Sequence, residues 1–189
     1  MKSVLLLFGL TFVSGSLHAQ LARERVVADR PVENTFFSQK MAILQTTESI
    51  SKQEMLFSIM HVFGPINTGM NEFWGMDVYA NIRLGLEYGL TDDLSVGIGR
   101  SKLDKSVDVR SKYRLLRQME SGSTPVSVSL MANTAIDTRE RTDDPAFGDR
   151  LSFMGSALVA RKFSDRFSAQ VAPTVTHFNL VRADQENTA

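Results

Sequence analysis

Six charged residues share one parity of alternating sequence: Arg83 and Glu87, then Asp108, Arg110, Lys112 and Arg114. Even spacing puts such side chains on a single face of extended strands, and together they sum to +2. Two chemistries fit. They could line a conduit that favours anions, or neutralise one another in a closed network that fills an enclosed lumen, which is the expected arrangement. His61 and His177, the histidines beyond residue 20, could serve as a base or as metal ligands. No acid–Ser–His spacing and no His-x-x-x-His pattern accompanies them, so structural hydrogen bonds are their expected role. The acidic segment Asp137 to Asp149 lacks the regular D-x-[DN]-x-[DN]-G spacing of a calcium loop and is expected to be solvated. No catalytic residue, cofactor or metal is therefore expected. Phe73, Trp74 and Tyr79 could form an interfacial girdle or pack within an outer loop, and Arg100 could snorkel toward lipid phosphates.

The elements that must position these residues are set by an ordinary globular composition. The chain has 189 residues, 43% hydrophobic and 22% charged, with 21 basic against 21 acidic side chains. A neutral balance argues against nucleic acid as a partner. The absence of cysteine excludes disulfide scaffolds, thiolate metal sites and cysteine nucleophiles. Residues 1–19 read as an export signal: Lys2, an apolar run from Val4 to Val13, then Ser14-Gly15-Ser16 and a small residue, Ala19, at the expected cleavage point. That run is well short of the ~20 residues a membrane helix needs. Removing the signal takes away Lys2 alone and leaves 20 basic and 21 acidic residues.

Residues 20–43 show no period and are expected to form an irregular N-terminal arm or loose plug. From there the chain alternates. Val78, Ala80, Ile82, Leu84, Leu86 and Tyr88 oppose Tyr79, Asn81, Arg83, Gly85 and Glu87. Leu94, Val96 and Ile98 oppose Ser95, Gly97 and Gly99, and Val107, Val109, Tyr113 and Leu115 oppose Asp108, Arg110, Lys112 and Arg114. The same two-residue period runs through Val126 to Asn133 and through Phe167 to Thr176. Glu54–Phe63 and Arg150–Lys162 are apolar on both parities and read as strands from composition, with Leu44–Ser51 a weaker, polar candidate. Connections alternate between tight (Thr91-Asp92-Asp93, Ser164-Asp165-Arg166) and long (Gly64 to Gly75, Asp137 to Asp149). That is the habit of outer-membrane barrels, with short periplasmic turns and longer outer loops. A secreted soluble β-sandwich would show the same alternation with inside and outside exchanged. Strands reaching the ~9–11 residues that cross a bilayer, with charge concentrated in mid-strand beside glycine-rich neighbours, favour the barrel.

The runs His61-Val62-Phe63-Gly64, Phe73-Trp74-Gly75-Met76-Asp77, Leu84-Gly85-Leu86-Glu87-Tyr88-Gly89-Leu90-Thr91-Asp92, Ser95-Val96-Gly97-Ile98-Gly99-Arg100-Ser101 and Lys112-Tyr113-Arg114-Leu115-Leu116-Arg117-Gln118, with Pro173 and His177, carry a resemblance. They resemble an uncharacterised family of outer-membrane β-barrel proteins, a domain of unknown function, over roughly residues 49–181. The resemblance implies export, outer-membrane lipid and the barrel assembly machinery as partners, and no established catalytic residue. It also implies further strands beyond Ala189. The expectation is an all-β, antiparallel up-and-down barrel over residues 44–189 with about 7–8 strands present and its C-terminal strands missing. Its expected role is non-enzymatic: small-molecule passage or binding, with the molecule unidentified, or a structural task in the envelope. The alternatives are a soluble sandwich that binds a partner, and a lipid-acting barrel enzyme that would need His61 or His177.

Overall fold

The computed structural model describes residues 29–41, 44–77, 80–102, 105–142, 145–181 and 186–189. The export signal and Tyr79 lie outside the described residues. Among the described residues ten strands follow in chain order: β1 (Lys40–Met41), β2 (Leu44–Gln45), β3 (Met55–Val62), β4 (Asn81–Gly89), β5 (Leu94–Ser101), β6 (Ser106–Leu116), β7 (Ser127–Asp137), β8 (Leu151–Ser164), β9 (Phe167–Val171) and β10 (Thr174–Phe178). β1 and β2 pair with each other as a separate two-stranded sheet, whereas β3 to β10 form one antiparallel sheet. From β3 to β8 each strand lies beside the next in the chain, and β9 and β10 both pair with β8. These last two are halves of one strand position, interrupted at Ala172-Pro173 because proline offers no N–H to the ladder. The result is an up-and-down sheet curled into a half-barrel.

Register turns the two-residue period into two walls. Leu86 pairs with Ile98 and Ile98 with Val109 on the outer face, while Glu87, Gly97 and Arg110 form the row beside them on the inner face. Phe57, Leu84, Ile98, Val109 and Leu130 are between 44% and 61% exposed on the outside. Inside, the fully buried set is largely polar, including Glu87, Asp108, Lys112 and Ser129, with Ile50, Leu158 and Ala160 as its apolar members among the described residues. A water-soluble sandwich has the opposite distribution, with its apolar parity pressed against a second layer. The sandwich alternative therefore falls: no second layer covers Leu84 or Ile98 among the described residues, and Arg83 and Lys112 point inward. An apolar wall of this kind is suited to hydrocarbon, where a charge at mid-wall is costly. Ile98→Arg is expected to destabilise the protein refolded into lipid vesicles by about 2–4 kcal/mol, read from urea unfolding. An unchanged midpoint would place that face in water.

The short connections, 90–93, 117–126 and 165–166, gather at one end of the sheet, and the longer segments 63–80 and 138–150 at the other, with the brief 102–105 link. In the first long loop, Gly64 N donates to Gly75 O at 2.9 Å. Gly75 has φ +87°, and a side chain there would run into the Gly64 and Pro65 backbone, so glycine is required on both counts. One expected strand is different. Leu44–Ser51 is extended only at Leu44–Gln45, and it pairs with Lys40–Met41 rather than with the wall. Of its other backbone groups, Thr46 N donates to Gln39 O within the segment, while Thr46 O, Thr47 N, Thr47 O and Glu48 O are met by side chains of the wall.

Candidate functional site

The N-terminal segment enters and leaves the concave side of the sheet at the short-turn end. Arg30 Nε donates to Glu120 (2.8 Å), a bond that holds the Arg30 proton above its ordinary range. Val32 N donates to Gln118 O at 2.8 Å. On the way out, Lys52 N donates to Asp92 Oδ1 (3.1 Å) and Gln53 N to Gly89 O (2.8 Å). Between these anchors the described residues 36–41 and 44–50 form a plug on the inner side of the wall, with Thr46, Thr47 and Ile50 buried. Thr47 N donates to Gln170 Oε1 (3.1 Å) and Gln170 Nε2 to Gln45 O (2.8 Å), while Ser129 Oγ donates to Thr47 O (3.3 Å). Thr46 and Thr47 are almost wholly buried. Beyond the two-residue β1–β2 pair the segment has no regular structure, so its other buried peptide groups need partners elsewhere, and the wall's polar parity supplies them for Gln45 O, Thr46 O, Thr47 N, Thr47 O and Glu48 O.

Four of the six inward charges meet across glycines. Arg83 on β4 reaches Asp108 on β6 through Nη2–Oδ2 (2.6 Å) and Nε–Oδ1 (3.2 Å). Arg110 lies 3.3 Å from Asp108 Oδ2 and 3.5 Å from Glu87 Oε1. β5 runs between these partners, and its inward residues there are Gly97 and Gly99. A methyl group on Gly99 would overlap the Arg83 guanidinium and come 2.8 Å from Asp108 Oδ1, and one on Gly97 would come 2.7 Å from Glu87 Cγ. The glycines thus leave room for ion pairs between strands that are not neighbours. The plug contributes a fifth member: Lys40 Nζ is 2.5 Å from Glu87 Oε1 and 3.2 Å from Ser58 Oγ. Nothing in the sequence singled out Lys40, because the segment that carries it has no period from which a facing could be read.

The other two expected members stand apart. Lys112, 3% exposed, donates its ammonium protons to plug backbone, to Thr46 O at 3.3 Å and to Glu48 O. Arg114 faces a cavity of about 600 Å³ between the plug and the short-turn end of the wall. The ion-pair network is therefore smaller than the six-residue set and is completed from outside it.

The remaining candidates do not assemble a reactive centre. His61 lies on the outer face of β3 with its ring edge-on to Phe63, centroids 4.5 Å apart. His177 is on β10, at the far side of the sheet, and its Nδ1 hydrogen-bonds Thr188 Oγ1 at 2.7 Å. Phe73 and Trp74 sit in the first long loop with left-handed backbone (φ 43° and 51°), about half-exposed, rings 5.6 Å apart. Asp137 is bound by Arg139 at 2.6 Å, and among the described residues no three His, Asp or Glu side chains converge as a metal site would require.

A family model described as "Membrane bound beta barrel domain (DUF5777)" matches residues 36–189, from the start of the plug onward. No curated protein and no solved structure matches the chain.

Proposed function

We propose that this chain, which belongs to that family of membrane-bound β-barrel domains, is a non-enzymatic outer-membrane protein that binds a small molecule in a lumen occupied by its own N-terminal segment. Its first 19 residues serve as a cleaved export signal in this reading, Phe73, Trp74 and Tyr79 sit near the membrane interface, and the Arg83–Glu87–Asp108–Arg110 network is a lumen filler rather than the lining of an open conduit. The observation that carries it is the seating of the plug: wall side chains from β6, β7 and β9 hydrogen-bond plug backbone, and Lys40 enters the wall's ion-pair network. A barrel built for free diffusion keeps a water-filled channel, whereas a plugged lumen leaves cavities beside the plug.

Two measurements on the full chain test this. Fractionation is expected to put a heat-modifiable band in the outer membrane. The purified protein in planar bilayers is expected to give no stepwise conductance. A soluble periplasmic pool would remove the membrane assignment, and frequent conductance steps from the unmodified protein would remove the plugged lumen.

A further inference from the structure

A cavity of about 600 Å³ opens beside the plug, and its size suits a small organic ligand. Three arginines border it: Arg30, Arg114 and Arg117. Two are committed. Arg30 is bound by Glu120 at 2.8 Å, and Arg117 by Asp93 Oδ1 at 2.7 Å. Arg114 is not. Its side chain is only 13% exposed, its nearest carboxylate oxygen is Asp93 Oδ1 at 3.9 Å, and its guanidinium donates no hydrogen bond among the described residues. A guanidinium carries five N–H donors in a planar fork matched to a carboxylate or phosphate, and leaving it so placed without an acceptor is costly. A second observation lies in the same wall. Thr47 and Ser49 border the cavity, Thr47 is 2% exposed, and the hydroxyls of both are buried without a hydrogen-bond partner among the described residues.

We infer that this cavity binds a small molecule bearing a single carboxylate or phosphate group, with Arg114 as the anion ligand and the Thr47 and Ser49 hydroxyls as secondary donors. The inference rests on the plug lying in the lumen, since Thr47, Ser49 and Glu48 belong to it. Selectivity follows from the rest of the lining. Glu33, Glu48 and Asp92 also border the space, so a polyanion would meet three carboxylates, while a single oxyanion can reach Arg114 and leave its uncharged part among them. The anionic group could belong to a free solute or to a lipid headgroup reaching in at the short-turn rim.

The full chain, refolded in zwitterionic detergent, is titrated with inorganic phosphate and with acetate by calorimetry. In parallel its thermal unfolding is followed in phosphatidylcholine vesicles with and without phosphatidylglycerol. Saturable binding of phosphate or acetate identifies a free anion. Stabilisation by phosphatidylglycerol alone identifies a headgroup. In either case Arg114→Gln is expected to weaken the effect at least tenfold and Arg114→Lys, which keeps the charge but not the fork, several-fold, while Arg100→Gln on the outer wall leaves the binding of phosphate and acetate unchanged. Binding indifferent to Arg114→Gln, or no response to any of the three anions, overturns the site. Should Arg114→Gln lose its heat-modifiable folded band, the Arg114→Lys comparison decides alone. Plug seating is read separately: in this cysteine-free chain, Thr47→Cys with Ser129→Cys is expected to form a cross-link on oxidation. A cross-link without anion binding rejects the site and keeps the plugged lumen, whereas failure to cross-link rejects the plugged lumen itself.

Discussion

Asp108→Ala is expected to destabilise the folded barrel by about 3–5 kcal/mol, the cost of removing one partner from a buried ion pair. The carboxylate accepts from Arg83 through three contacts of 2.6–3.2 Å and lies 3.3 Å from Arg110 Nη2. Asn133, with its amide oriented by hydrogen-bond complementarity, adds a donor at 3.1 Å. Deleting it leaves two guanidinium groups side by side, each about one-sixth exposed, with Glu87 as the remaining nearby anion and Lys40 already upon it. Asp108→Asn keeps an acceptor but loses the charge, so it should fall between Ala and the unmodified protein. Urea unfolding from lipid vesicles gives the values, and the heat-modifiable band shows whether the variants fold. If Asp108→Ala unfolds at the same urea concentration as the parent, the inward charges are screened by water and the lumen is a wet channel, not a packed network.

The wall and its facing were legible because a strand has a period of exactly two residues' pitch per repeat, so that one register choice sorts every side chain. Leu84, Leu86 and Ile98 on one parity and Arg83, Glu87 and Arg110 on the other carry enough contrast to decide the facing without any long-range information. Gly97 and Gly99 were legible as space for long side chains, although only the register shows which pairs meet across them. The family resemblance read over residues 49–181 agrees with the match over residues 36–189, which also takes in the plug. Three features were not legible. The break between β9 and β10 needs the knowledge that Pro173 falls where a ladder N–H is due. Leu44–Ser51 reads as a polar strand because Thr and Gln suit a strand, yet its partners are lumen side chains far along the chain, such as Gln170 and Lys112. The roles of Lys40 and of Arg114, whose guanidinium donates no hydrogen bond among the described residues, depend on where that plug comes to rest, which local pattern does not encode.

Lys112→Met is expected to unseat the plug while leaving the wall folded. Methionine fills nearly the same volume on the inner face of β6, so the strand ladder to β5 and β7 is unaffected. The plug loses both charge-assisted donors to the Thr46 and Glu48 carbonyls, which then remain buried without those partners. Bonds to a charged donor contribute roughly 1.5–3 kcal/mol each, so the seated state is weakened by about 3 kcal/mol or more, on the order of a hundredfold in the unseated fraction. The wall itself is relieved of a buried ammonium, which offsets part of any global loss. Local opening should therefore outrun global unfolding: residues 36–50 become sensitive to protease added from the short-turn side, and planar bilayers show conductance steps absent from the parent, while the urea midpoint moves little. Gln170→Ala, which removes the contacts to Thr47 N and Gln45 O from β9, is expected to add to the effect, since the two side chains grip the plug from different strands. A Lys112→Met protein that stays silent in bilayers and keeps its plug protected would show that the ammonium does not hold the segment in place.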